Sequence, residues 1–144
     1  MIEIVNNQRK IKIHQQLYLE FAQQVLDSIP AVRQKMLTIA FVSNRKMRQL
    51  NRDFRGKNAT TDVLSFPAEQ DSFDFAENTD NLGDIVISVE QAQEQAIDNN
   101  LTFELEVKQL ILHGILHLCG YDHETDSGEM NRLELKLRDK LGIS

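Results

Sequence analysis

The feature that most constrains this fold is an apolar stretch, residues 102–118, followed closely by a glycine. Thr102 is a residue type that begins helices, and Gly120 fits the left-handed conformation that ends them. Seven large aliphatic side chains between them cover most of the helix circumference: Val107, Leu110, Ile111, Leu112, Ile115, Leu116 and Leu118. A helix that is apolar nearly all round belongs in the middle of a protein, so the other elements must pack around it.

Periodicity elsewhere predicts four strands and four further helices. The strands are apolar or alternating runs at 2–5, 37–42, 63–66 and 85–87. The further helices are predicted at 14–27, after a cap at Ser43 or Asn44, after a Ser88 cap with Gln91 three residues later, and from Asp126 to Leu141. This order predicts one α+β domain, 1–144: a small mixed four-stranded sheet packed with about five helices around the buried central helix.

Composition excludes several classes of protein. The one cysteine, Cys119, cannot form an internal disulfide, so packing or a metal must hold the fold together. No apolar run approaches the roughly 18 residues that a membrane span requires, and the segment MIEIVNNQRK lacks the pattern of a secretory leader. We therefore expect a cytoplasmic protein with no membrane partner.

Charge is distributed unevenly along the chain. The formal net charge of −6 by itself argues against a nucleic-acid partner, and acids gather between Glu69 and Asp80, where a solvated loop is expected. The segment 43–57 (SNRKMRQLNRDFRGK) has one acid, Asp53, against six bases: Arg45, Lys46, Arg48, Arg52, Arg55 and Lys57. Taken alone, such a cluster is typical of an exposed helix face.

Three of the four histidines lie within residues 110–124, LILHGILHLCGYDHE. His113 and His117 are four apart on the predicted helix, so both rings project from one face, about 6 Å apart along the axis. His123 follows the Gly120 turn, which can fold a third ring nitrogen back. A lone histidine on an apolar helix is usually a hydrogen-bonded core residue, but three at this spacing can be satisfied by one ion. Three imidazoles with one open position are the ligand set of a catalytic zinc.

The same spacing matches the metzincin peptidase signature H-E-x-x-H-x-x-G-x-x-H. Gly114 stands where those peptidases have the glutamate that activates water, so the general base for peptide hydrolysis is absent. A zinc metallopeptidase-like hydrolase is therefore kept only as an alternative. Cys119 lies on a different helix face from His117 and is not counted as a ligand.

Three stretches together are more specific: LNRDFRGKNATTDVLSFP (50–67), LGDIVIS (82–88) and HGILHLCGYDH (113–123). On these the chain resembles the YbeY endoribonucleases, also described as rRNA maturation factors. The resemblance implies a zinc-dependent, single-strand-specific endoribonuclease in rRNA 3′-end maturation and ribosome quality control, which hydrolyses phosphodiesters with metal-activated water. It implies one Zn²⁺ held by His113, His117 and His123, and a catalytic role for Arg55.

The resemblance also implies partners: single-stranded RNA, chiefly rRNA, and the ribosome or its small subunit, with no DNA expected. The basic segment is then interpreted as a track for the RNA backbone, with these RNA-binding residues: Arg45, Lys46, Arg48, Arg52 and Lys57. Phe54 and Tyr121 are candidates for stacking a base, although a core position suits each at least as well. Asp122 is either an acceptor for an imidazole N–H or a helix-linker cap. A non-enzymatic ribosome assembly factor with a structural metal is a further alternative.

Overall fold

The fold is seen in a computed structural model that describes residues 1–68, 80–121 and 126–143. Its strands are β1 (Ile2–Asn6), β2 (Met36–Val42), β3 (Val63–Pro67) and β4 (Asn81–Ser88). Its helices are α1 (Gln15–Asp27), α2 (Asn44–Arg55), α3 (Val89–Asp98), α4 (Phe103–Leu118) and α5 (Glu129–Leu141), and Pro30–Val32 form a short 3-10 helix. The predicted α+β class is confirmed. The segment 69–79 and the residues Asp122 and His123 lie outside the described residues, so what was expected of them stays a prediction.

The strands form one mixed sheet in the order β1-β2-β4-β3. Strands β1, β2 and β4 are parallel, whereas β3 pairs antiparallel with β4. In one row across the sheet, Ile85 of β4 lies between Ile39 of β2 and Ser65 of β3. Among the described strands β3 is an edge strand, so side chains from helices on either face of the sheet can meet beside it.

The two faces of the sheet are covered by different helices. Side chains alternate between the faces along each strand. One face packs into the main core cluster with α1, α3, α4 and α5, through residues such as Ile39 and Ile85. The other face packs against α2, in a smaller cluster of Val42, Met47, Leu64 and Val86. Helix α2 therefore lies on the opposite side of the sheet from α4.

Helix α4 is central to the larger layer, where it contacts α1, α3 and α5 as well as β3 and β4. Most of its residues are buried, as its apolar circumference predicts. Gly114 permits a close approach to the sheet, because a Cβ at this position would lie 2.9–3.1 Å from three side-chain carbons of Ile85. Ser65 Oγ of β3 donates to the Gly114 carbonyl at 3.5 Å. The helix is thus buried between the sheet and the helices around it, and its role as carrier of metal ligands stays a prediction.

Both ends of α4 follow the predicted signals. The Thr102 hydroxyl accepts the Leu105 N–H at 3.1 Å. Gly120 adopts φ of 96°, and the Tyr121 N–H donates back to the Leu116 carbonyl at 3.1 Å, which completes a Schellman-type end. The helix has 16 residues. In the part of the chain that the structure describes, no helix has the length and apolar character of a membrane span.

Of the other three predicted caps, only the one before α2 is confirmed. Ser43 Oγ accepts a backbone N–H from the first turn of α2 at 3.2 Å. The cap predicted at Asp126 is wrong, because α5 begins at Glu129 with Gly128 at the N-cap position and no side-chain cap bond. The Asp126 carboxylate lies before the helix and accepts the Met130 N–H at 3.0 Å. Ser88 does precede α3, but the predicted capping bond is wrong: its hydroxyl donates to the Asn44 side chain and makes no bond to the helix backbone. The Ser88 hydroxyl thereby ties the end of β4 to the start of α2.

Candidate active site

His113 and His117 meet on one side of α4, beside strand β3. Their Nε2 atoms are 3.0 Å apart, and their ring centroids are 4.5 Å apart. Two nitrogens bound to a tetrahedral zinc at about 2.0–2.1 Å lie about 3.3 Å from each other, so this pair fits the requirements of one ion. Within residues 1–68, 80–121 and 126–143, no cluster of three or more potential metal ligands occurs. The three-histidine site therefore stays a prediction that needs His123.

Glu134 of α5 fixes the orientation of His113. The Nδ1–H of His113 donates to Glu134 Oε1 at 3.0 Å, and Arg138 Nη2 lies 3.7 Å from the other carboxylate oxygen. A proton on Nδ1 leaves the lone pair on Nε2, which is the tautomer that metal-binding histidines adopt when the second nitrogen faces a carboxylate. Sequence reasoning missed Glu134. The available signal was a glutamate between Met130 and Leu137, in the apolar stripe of an amphipathic helix.

Behind this pair lies a buried polar network that joins α3 and α4. Glu106 is 4% exposed, and its carboxylate accepts from Asn99 Nδ2 at 3.3 Å. With its amide group turned to donate, Gln95 bridges Glu106 Oε1 at 3.2 Å and Asp62 Oδ2 at 2.9 Å. Burial raises the pKa of Glu106, because the ionised carboxylate loses hydration. The network lines a cavity of about 240 Å³ that His113 also borders.

The histidine cleft, as we call it, has a volume of about 630 Å³ and is lined by Phe54, Arg55, Asp62, Val63, Leu64, Ser65, Phe66, Pro67, His113 and His117. The histidines come from α4 on one face of the sheet, and Phe54 and Arg55 come from the end of α2 on the other. Strand β3 lies between them. The structure thus brings three predicted site residues, Arg55, His113 and His117, into one cleft. Asp62 and Ser65 also line it and were not predicted.

A second depression, the arginine groove, has a volume of about 730 Å³ and is lined by Asn44, Arg45, Arg48, Gln49, Arg52, Asn58 and Thr60. Its three arginines are spaced by three and four residues, so they form one row on α2, and Arg55 continues that row toward the histidine cleft. Arg48 Nε donates to Asn58 Oδ1 at 3.1 Å, and Arg52 Nε lies 3.6 Å from the Asp53 carboxylate. Lys46 and Lys57 are exposed but do not line this groove.

Two residues beside the histidines belong to the core. Cys119 and Tyr121 are partly buried and pack against the main core cluster. Burial raises the pKa of the Cys119 thiol, which disfavours the thiolate that a metal would require. Of the two residues considered for base stacking, Tyr121 packs in the core. Phe54 does not, because it is 67% exposed.

Comparison with known proteins agrees with the resemblance carried by the three sequence stretches. The pattern of the family described as Endoribonuclease YbeY matches residues 3–142. The endoribonuclease YbeY of Alkaliphilus metalliredigens is 38% identical, over 97% of this chain and 94% of its own length. That of Carboxydothermus hydrogenoformans is 40% identical, over 99% of both chains. The solution structure of TM1509 from Thermotoga maritima is 30% identical with a TM-score of 0.65, over 98% of this chain and 89% of that one. The chain therefore belongs to the endoribonuclease YbeY family.

Proposed function

We propose that this protein is a metal-dependent endoribonuclease that cuts single-stranded RNA in the histidine cleft. Membership of the family supports the nuclease class. The observation that carries the metal-dependent mechanism is the convergence of His113, His117 and Arg55 on one cleft from opposite faces of the sheet. This arrangement joins nitrogen ligands for a cation with a fixed positive charge, and both groups can stabilise the negative charge that develops during phosphodiester hydrolysis.

The metal ligands are His113, His117 and His123, and the proposed ion is one Zn²⁺ per chain. Such an ion supplies Lewis-acid polarisation of a phosphoryl oxygen and lowers the pKa of a coordinated water toward 7. Glu134 keeps the Nδ1 proton on His113, so that Nε2 of this ring is available as a ligand. The cleft is open on one side, which suits a catalytic site better than a closed structural one.

Arg55 binds the scissile phosphate. A guanidinium stays protonated at all physiological pH values and presents two N–H groups in a plane that matches two phosphate oxygens. Because the negative charge on those oxygens increases as the bond breaks, the guanidinium stabilises the transition state more than the ground state. Arg55 lies just before Gly56, whose φ of 69° ends α2 and leaves the arginine side chain exposed in the cleft.

The arginine groove holds the RNA backbone on one side of the cut. From Arg45 to Arg55 the row extends about 15 Å along α2, which is long enough to contact more than one phosphate. These contacts carry no sequence information but hold the strand in register. Lys46 and Lys57 contribute only to the surrounding positive potential. Resemblance to rRNA maturation factors supports rRNA 3′ ends as the substrate, ribosome quality control as the process, and the ribosome or its small subunit as the partner.

The metallopeptidase alternative is disfavoured by the position of Gly114. A carboxylate at this place cannot act on a substrate in the cleft, because a side chain there would project into Ile85 of the sheet. The assembly-factor alternative requires a closed structural metal site, whereas His113 and His117 line an open cleft.

Single-turnover cleavage of an end-labelled, single-stranded RNA tests the proposal. We expect Arg55→Ala to cut about 10²–10³-fold more slowly than wild type while it keeps its metal, and Arg55→Lys to be intermediate. Arg33→Ala, which removes an exposed arginine that lines neither the cleft nor the groove, serves as the matched control and should cleave like wild type. Cleavage by Arg55→Ala at the wild-type rate, or unchanged cleavage after complete removal of the metal, would refute the mechanism.

A further inference from the structure

Phe54 occupies an unexpected position on α2. It follows Met47 and Leu50 at spacings of three and four residues, which predicts a place in the core. Met47 is fully buried and Leu50 is half-buried, yet Phe54 is 67% exposed. Among the large apolar side chains that are exposed in the described ranges, it is the one aromatic residue. An exposed phenyl ring in a cleft is a feature that packing alone does not explain.

The ring of Phe54 is nevertheless held in place. It makes an edge-to-face contact with Phe66 of β3, with ring centroids 5.4 Å apart and an interplanar angle of 68°. Phe66 in turn packs against the smaller core cluster under α2. The loop after α2 is tied back by a hydrogen bond from Asn51 Nδ2 to the Ala59 carbonyl at 2.8 Å. The phenyl group is therefore supported from the sheet side and accessible from the cleft side.

The neighbours of Phe54 indicate what it contacts. Arg55 is the next residue, and His113 and His117 line the same cleft. In RNA a base is attached to the sugar beside every phosphate, so a phosphate bound by Arg55 brings a base near the Phe54 ring. Every base has a π-face, so stacking on an aromatic ring tolerates any sequence. A base inside a duplex already has both faces covered by its neighbours, and only an unstacked base is available.

We infer that Phe54 stacks an unpaired nucleobase adjoining the scissile phosphate and in this way gives the cleft its preference for single-stranded RNA. This inference rests on the proposed function, because it takes the Arg55 phosphate site as given. Support by Phe66 lowers the cost of binding, since the ring does not have to be ordered when the base arrives. Phe54 is thus a specificity-determining residue that selects for strandedness and not for sequence.

Tryptophan fluorescence tests the stacking contact directly. The chain has no tryptophan, so Phe54→Trp introduces a single indole at the proposed platform. We expect stopped-flow addition of single-stranded RNA to quench this indole before cleavage, and duplex RNA to leave it unchanged. The matched control is Ile97→Trp, at a site that is 72% exposed and lines neither the cleft nor the groove. Equal quenching by single-stranded and duplex RNA, or no quenching at position 54, would overturn the inference.

Cleavage kinetics separate this inference from the proposed function. We expect Phe54→Ala to raise the half-saturating concentration of single-stranded RNA about 5- to 150-fold, with a smaller change in the saturating rate. Phe54→Tyr, which keeps an aromatic ring, should have the half-saturating concentration of wild type. An RNA with an abasic residue beside the cut should bind wild type and Phe54→Ala equally well. If wild type cuts RNA and Phe54→Ala binds single-stranded RNA as tightly as wild type does, the inference fails and the proposed function stands. If purified wild type cuts no RNA, the proposed function fails, whether or not RNA quenches the fluorescence of Phe54→Trp.

Discussion

The histidine cleft and the arginine groove both border α2, but their side chains are held in different ways. In the cleft, His113 is half-buried and is oriented by Glu134 from a different helix. In the groove, Arg45, Arg48 and Arg52 are exposed and come from one helix. Breaking a bond requires groups placed to within a fraction of an ångström, whereas attraction of a phosphate backbone requires only charge at roughly the right place. This difference favours the proposal that the cleft carries out the chemistry and that the groove contributes to RNA affinity.

Outside the proposed metal ligands, the largest effect that separates the two regions is expected at Glu134. Glu134→Ala should weaken zinc binding about 10- to 100-fold, because His113 loses the acceptor that fixes its tautomer and ring orientation. Glu134→Gln should lose less zinc affinity, since its amide oxygen can still accept a hydrogen bond from Nδ1 of His113. Asp139→Ala, which removes an exposed acid from the same helix, is the control and should bind zinc as wild type does. Wild-type zinc affinity in Glu134→Ala, measured by competition with a chelator, would contradict the role assigned to this contact.

A smaller and different effect is expected in the groove. Arg48→Ala should weaken binding of single-stranded RNA by about 3- to 10-fold, regardless of sequence, and should leave zinc affinity unchanged. The slope of log affinity against log salt concentration should fall by about 0.7 for the lost phosphate contact. Fluorescence anisotropy at a series of salt concentrations measures both quantities. An unchanged slope would mean that Arg48 does not contact the backbone, and a loss of zinc would mean that the two regions are not separate.

How far the sequence predicts these regions depends on whether the determinants are local. Helix α4, its capping residues and the spacing of His113 and His117 are encoded within one continuous segment, and these predictions agree with the structure. Strand order depends on pairing between separate segments of the chain, and the meeting of Arg55 with the histidines joins segments more than 50 residues apart. Periodicity reports neither. Glu134 and Phe54 break the apolar pattern of their own helices in opposite ways. One is a charge in a core stripe and the other an aromatic ring left exposed, and both lie at the candidate site.

The smallest expected effect is the pH dependence contributed by Glu106. Its pKa is raised in the folded protein, so the native state binds this proton more tightly than the unfolded chain does. The stability that the protonated group contributes is fully present below the ordinary glutamate pKa and is lost as the pH rises through the raised value. The Tm of wild type relative to Glu106→Gln should therefore fall, by no more than about 3 °C, as the pH rises from about 4 to about 7.

Thermal unfolding of both proteins across that pH range measures this effect. Glu94→Gln, at an exposed position on α3, is the control for a general effect of removing one carboxylate. A Tm difference between wild type and Glu106→Gln that rises with pH would have the wrong sign. It would mean that ionised Glu106 is stabilised by its neighbours in the polar network.

Calorimetric titration of the metal-free protein with Zn²⁺ measures whether three histidines hold one catalytic cation. His14→Ala provides the control, since His14 is the one histidine that is not a proposed ligand and is exposed at the start of α1. We predict one zinc per chain in wild type and in His14→Ala, and an affinity at least about 100-fold lower in each of His113→Ala, His117→Ala and His123→Ala. Wild-type zinc affinity in any of those three variants would show that the replaced histidine does not hold the ion.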